Sequence, residues 1–167
     1  CWLFDRHPDQ IEIVVHPQSI VHSMIRYRDG SVLAQLGQPD MRTPIAYCLG
    51  WPERVDAGVA PLDIVATGKL EFEAPDLSAF PCLALAQWAI TQPGGMCVFS
   101  AANELAVAAF LAGEIRFTDI DRVIDSVLQT VSLREPDTLD AVQQLDAKAR
   151  KVAGKQILLM TSPKPNS

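Results

Sequence analysis

The chain has 167 residues, the length of one ordinary domain or two small ones. Hydrophobic residues make up 49% of it and charged residues 20%, enough apolar material for a core, which excludes a disordered tail. Mean hydropathy is +0.13 and no apolar run approaches the ~20 residues of a membrane helix, so no membrane association is expected. Net charge is −6, from 14 Lys and Arg against 20 Asp and Glu. Residues 1–75 carry 6 basic and 10 acidic groups, and residues 76–167 carry 8 and 10. No basic face stands out to neutralise a nucleic-acid backbone, so nucleic acid is not an expected partner. A single phosphate needs only a few local donors and stays open.

Cys1, Cys48, Cys82 and Cys97 have no C-x-x-C spacing and no histidine in zinc-ligand register. The last three sit among apolar neighbours, which predicts buried, reduced thiols and a cytoplasmic compartment. Cys1-Trp2-Leu3-Phe4 reads as the apolar end of a helix, so the chain is expected to begin mid-structure.

The first zone is strand-rich. Ile11–Val15 is a β-branched run closed by His16-Pro17. Ser23–Arg28 and Ser31–Leu36 flank Asp29-Gly30, a two-residue type I′ hairpin signal. Counting outward from that turn pairs Tyr27 with Val32, Ile25 with Ala34 and Ser23 with Leu36 on one largely apolar face. Arg28, Arg26, Met24 and His22 fall on the other. A helix is predicted over Pro44–Gly50, ending at Trp51-Pro52. Gly58, Pro61, Gly68 and Pro75 break every period over 56–76, which reads as a linker with one short strand at Leu70–Phe72.

The third zone is helical. Phe80–Gln92 has Pro81 in its first turn and stops at Pro93-Gly94-Gly95. Ser100–Ala112 is apolar nearly all round, a buried central helix with Gly113 as its left-handed stop. Thr118–Asp121 reads as a cap for a stripe of Ile120, Val123, Ile124, Val127, Leu128 and Val131. Thr138–Met160 reads as helix broken near Asp146, with Ala149, Val152, Ala153 and Ile157 inward. Four helices with short joints make a bundle. Thr161–Ser167 reads as a frayed tail. The fold class is therefore α+β, a small sheet followed by a four-helix bundle-like domain. The domains are 1–55, a linker over 56–76, 77–160, and the tail.

Three segments rise above this background. Glu104 is the one charge at the head of an apolar helix; the helix dipole accounts for an acid there without catalysis. His16 to His22 places two histidines and Ser19 ahead of a strand, as loop polar groups or as ligand contacts. Gly37–Pro44 is a stiff loop that leaves Met41 exposed unless something covers it. No glycine-rich nucleotide loop and no G-x-S-x-G elbow is present.

His16-Pro17-Gln18-Ser19-Ile20-Val21-His22-Ser23-Met24, the run from Asp29-Gly30-Ser31-Val32 through Gly37-Gln38-Pro39-Asp40-Met41-Arg42-Thr43-Pro44, and Ala101-Ala102-Asn103-Glu104 occur in that order. Together they resemble the C-terminal part of the 1-deoxy-D-xylulose 5-phosphate reductoisomerases, over residues 1–160. The resemblance implies an enzyme of non-mevalonate isoprenoid biosynthesis. Such an enzyme isomerises 1-deoxy-D-xylulose 5-phosphate on a divalent metal (Mg, Mn or Co) and reduces the product with NADPH to 2-C-methyl-D-erythritol 4-phosphate. It also implies a homodimer formed through the catalytic sheet, with residues 1–55 the remainder of that catalytic domain. The family's glycine-rich NADPH domain, metal carboxylates and main phosphate-binding cluster lie upstream of Cys1 by the same resemblance. This chain alone is therefore expected to bind no cofactor or metal and to be inactive. What it would contribute is one wall of the site: His22 near the substrate phosphate as the catalytic contact, with Ser19, Pro39 and Met41 beside substrate or nicotinamide. The alternative is a non-catalytic scaffold or interaction module of shared ancestry.

Overall fold

The computed structural model describes residues 1–161, which fall into two compact units: Ile13–Pro75, and Asp76 onward together with Cys1–Glu12. The architecture is α+β, with six α-helices and one two-stranded antiparallel sheet among the described residues. Thr161, where the frayed tail was expected to start, closes the last helix, and the rest of that tail lies outside the described residues.

In the first unit β1 (Val21–Arg26) pairs with β2 (Val32–Leu36). The hairpin forms where expected, but its register differs by one residue. Arg26 faces Val32, Ile25 faces Leu33 and Met24 faces Ala34. The connection is a three-residue loop, because Tyr27 N donates to Ser31 O at 2.9 Å and Gly30 takes a φ of +87°. Asp29 causes this. Its carboxylate accepts from both the amide (2.9 Å) and the hydroxyl (2.6 Å) of Ser31, fixing that residue at the end of the loop, where Tyr27 rather than Arg28 pairs with it. Slipping β2 by one residue exchanges its two faces, so Leu33 rather than Ala34 accompanies Ile25.

Beyond β2 lies α1 (Arg42–Gly50). Of residues 56–76, read from sequence as a linker, 56–75 fold within this unit. They include α2 (Ile64–Thr67), capped by Asp63 accepting from Ala66 N at 2.9 Å. The expected strands at Ile11–Val15 and Leu70–Phe72 reduce to one antiparallel bridge, Val15 to Glu73. β-branched propensity makes a strand only where a partner runs alongside.

The second unit holds α3 (Pro81–Ala89), α4 (Gly95–Leu111), α5 (Ile120–Thr130) and α6 (Leu139–Thr161). α4 packs against both α5 and α6, and α3 against α5. Ala101, Ala102, Ala106 and Ala109 let the neighbours of α4 approach closely, while Ile120, Val123, Ile124, Val127 and Leu128 fill the space from α5. The sequence stripe on α5 is the buried stripe, and Gly113, at φ +74°, ends the turn after α4.

Several helix bounds differ from expectation: α1 starts at Arg42 rather than Pro44, and α3 stops at Ala89 rather than Gln92. α4 starts at Gly95, not Ser100, because the left-handed Gly94 turns the chain directly into it and Gly94 N donates to Glu135. Glu104 therefore stands mid-helix, away from any dipole end. α6 runs unbroken through Asp146, whose carboxylate accepts from Arg150 Nε one turn on at 2.7 Å instead of capping a new helix. Arg150 also donates to Glu104 at 2.6 Å, which makes Glu104 the α4 end of an interhelical ion pair. Among the thiols, Cys48 is exposed rather than buried. Cys82 and Cys97 are half-buried, and burial pushes both upward. No helix among the described residues is long and apolar enough to cross a membrane.

Candidate functional site

Two of the three segments singled out in the sequence, His16–His22 and Gly37–Pro44, meet in the sheet-bearing unit. Gly37 N donates to Ile20 O at 3.0 Å, so the loop after β2 is tied to the residues just before β1. At that junction β1 carries an irregularity. Val21 faces Leu36 and Ser23 faces Gln35, which leaves His22 as the extra residue with nothing opposite. A bulge of this kind re-aims a side chain relative to strand alternation. Strand parity, which put His22 on the Arg26 face, therefore does not describe it. The imidazole instead reaches Gly37, and because a carbonyl only accepts, His22 Nε2 carries the hydrogen and donates to Gly37 O at 3.3 Å. His22 is exposed, and Nδ1 has no hydrogen-bond partner among the described residues. As a neutral ring it offers an acceptor there; as an imidazolium, a donor.

Ser19 closes the turn before β1, its amide donating to His16 O at 3.0 Å, and takes a φ of +52°. That is the left-handed region, sparsely used by residues with a side chain. His16 Nδ1 donates to Glu71 O at 2.7 Å and its ring stacks on Phe72 with centroids 4.7 Å apart. His16 Nε2 is buried without a hydrogen-bond partner among the described residues.

The second segment is locked from within. Arg42 lays its guanidinium across both oxygens of Asp40, with Nε at 3.0 Å to each and the nearer terminal nitrogen at 2.6 Å, and its other terminal nitrogen donates to Gly58 O at 3.2 Å. Arg42 N also donates to Asp40 at 2.9 Å. These hydrogen bonds hold the Asp40 carboxyl down to about 2. The lock fixes the backbone on both sides of Met41, which is 70% exposed, and Pro39 is exposed with it. Ser19 and His22 thus share one turn and bulge, while Pro39 and Met41 share the adjoining loop. Among the described residues no hydrogen bond or ion pair joins the side chains of one pair to those of the other. An apolar cleft of about 300 Å³ lies nearby, lined by Ile20, Leu36, Leu62, Ile64 and residues 67 to 70, and includes none of the four.

Sequence reasoning missed the bulge, the Asp40–Arg42 fork and the contacts from Glu71 and Phe72. D-x-R and the left-handed Ser19 leave little signature, and the Glu71 contacts span more than 50 residues. Among the described residues no three His, Cys, Asp or Glu side chains stand together to hold a metal.

Residues 36–152 match the family described as the DXP reductoisomerase C-terminal domain. The 1-deoxy-D-xylulose 5-phosphate reductoisomerase of Cellvibrio japonicus is 56% identical over 154 residues, 92% of this chain and 39% of its own length. The protein of that name from Saccharophagus degradans is 60% identical over 154 residues, with the same coverage. Among solved structures, the Zymomonas mobilis reductoisomerase in complex with NADPH superposes with a TM-score of 0.85 at 43% identity, covering 93% of this chain and 41% of that one. A DOX-P reductoisomerase in complex with NADPH, fosmidomycin and magnesium gives 0.87 at 42% identity, covering 98% and 43%. The chain spans about two-fifths of the length of the relatives it matches. From the family match over 36–152 and identities above one half across nearly its whole length, this chain belongs to the 1-deoxy-D-xylulose 5-phosphate reductoisomerase family.

Proposed function

We propose that this chain is the C-terminal part of a reductoisomerase that converts 1-deoxy-D-xylulose 5-phosphate to 2-C-methyl-D-erythritol 4-phosphate with NADPH and a divalent metal. In this reading Ile13–Pro75 is the remainder of the catalytic domain and the helical unit is the C-terminal domain. The observation that carries the reading is identity of 56–60% to proteins of that name along 92% of this chain. The described residues alone do not make up a metal site.

What these residues do is hold and enclose. His22, with its Nε2 hydrogen committed to Gly37, donates from Nδ1 to the sugar phosphate as an imidazolium; Ser19 offers a hydroxyl from the same turn. Pro39 and Met41, on a loop stiffened by the Asp40–Arg42 fork, give an apolar wall that keeps water from a hydride transfer. Exposed Ile25 (54%), Val32 (55%) and Leu33 (59%) on the hairpin support pairing of two chains through this sheet, and the free thiols, Cys82 and Cys97 half-buried and Cys48 exposed, suit the cytoplasm. Light scattering of the full-length protein is expected to give a dimer; a strict monomer at high micromolar concentration counts against that part.

The central test is His22→Gln in the full-length enzyme. Loss of a hydrogen bond to a charged substrate is expected to cost about 1–3 kcal/mol in kcat/KM, with the melting temperature little changed because the ring is exposed. A destabilised protein with wild-type KM and kcat removes His22 from the site. If the full-length protein does not oxidise NADPH with this substrate, the scaffold reading takes its place.

A further inference from the structure

We propose that residues Lys69–Glu73 form a positioning strap for Ser19 and His22, with Gln18 and Glu71 as positioning residues of the reaction. The proposal rests on the reading of the Ser19–His22 turn as a substrate wall. The motivating feature is the left-handed Ser19, in a conformation that a residue with a side chain keeps only where its surroundings over-determine it. The turn has no core of its own to impose this, since no residue between Ile13 and Pro75 is buried. Directed contacts supply the constraint instead.

Glu71 engages the turn with its whole length. Its carbonyl accepts from His16 Nδ1 at 2.7 Å, its amide donates to Gln18 Oε1 at 3.2 Å, and its carboxylate accepts from Gln18 Nε2 at 2.7 Å. Lys69 Nζ lies 2.6 Å from the other carboxylate oxygen and holds that side chain in place. Phe72 stacks on the His16 ring, and Glu73 exchanges two backbone bonds of 2.9 Å with Val15. Val15, His16 and Gln18 are thereby fixed in succession, and Ser19 follows with its amide bonded back to His16 O. On the other side Ile20 is bonded to Gly37, whose carbonyl also receives the His22 ring. The strap therefore sets one end of a short rigid path whose other end is His22. None of its residues is among the four proposed to touch substrate; their effect passes through the turn.

The full-length enzyme carrying this segment tests it. Gln18→Glu keeps the acceptor for Glu71 N, removes the amide donor and sets a second carboxylate against Glu71. The KM for 1-deoxy-D-xylulose 5-phosphate is expected to rise about tenfold, with the KM for NADPH and the melting temperature unchanged. Adding Glu71→Gln reinstates an amide–carboxylate pair with the roles exchanged, and is expected to bring that KM back to within about threefold of wild type. Wild-type kinetics for Gln18→Glu overturn the strap, as does a double variant without rescue. So does a loss in which both KM values and the melting temperature move together, the pattern of a plain packing role. A wild-type full-length protein inactive on this substrate overturns the reductoisomerase reading itself, and the strap with it.

Discussion

Seventeen apolar side chains are buried between Ala89 and Ile157, several of them completely, whereas between Ile13 and Pro75 no residue is buried. The helical unit coheres by removing apolar surface from water, a non-directional force that tolerates changes of polar detail. The sheet unit has a two-stranded hairpin, marginal by itself, and two short helices, α1 and α2, none of which buries a residue. Its shape depends on directed bonds: the Asp29–Ser31 turn, the Asp40–Arg42 fork and the Glu71 strap. The residues proposed to face substrate all lie in this second kind of structure. Volume should therefore govern stability in one region, and hydrogen-bond geometry should govern function in the other.

The largest effect that would sharpen this contrast is expected at Ile124, fully buried on α5. Ile124→Ala should cost about 2–5 kcal/mol in urea unfolding, the transfer loss plus the cavity left behind. Gly94→Ala comes next. The residue sits at φ +69° and an added Cβ would overlap the Arg134 carbonyl oxygen, so the backbone itself must move. A loss of roughly 1–3 kcal/mol is expected by the same measurement, and an unchanged midpoint would show that the α3–α4 joint yields to the added methyl.

Asp119 gives a smaller effect with a pH signature. Nearly buried, it accepts from Arg116 N (3.0 Å) and from the Arg116 guanidinium (2.9 Å), which holds its carboxyl down at about 2. A carboxylate held below its unfolded value stabilises above that value and loses this contribution as pH falls toward the folded one. Asp119→Ala should cost about 0.5–2 kcal/mol near neutral pH. The gap between wild type and variant should close as pH drops from about 4 toward 2; a gap that stays constant removes the carboxylate from the account. The smallest effect is expected at Leu33, 59% exposed on β2. Leu33→Ala in this chain should change stability by less than about 0.5 kcal/mol. A loss rivalling that at Ile124 would break the comparison between the two regions.

What the sequence determined by itself was whatever repeats over a turn or two of chain. The stripe on α5, Pro81 opening α3, Gly113 after α4 and the existence of the hairpin are all local, because their energies arise among residues a few positions apart. The motifs around His22 and Met41 were visible as unusual composition. Their arrangement was not. Whether Asp29-Gly30 makes a two- or three-residue loop turned on one carboxylate reaching Ser31, and that choice moved every residue of β2 to the opposite face. The bulge that frees His22 from strand parity, the Glu104–Arg150 pair 46 residues apart and the Gln18–Glu71 pair 53 apart were decided only by the tertiary structure. Closing such distances carries an entropy cost that no local pattern records, so partners of this kind become readable only once the rest of the chain has brought them together.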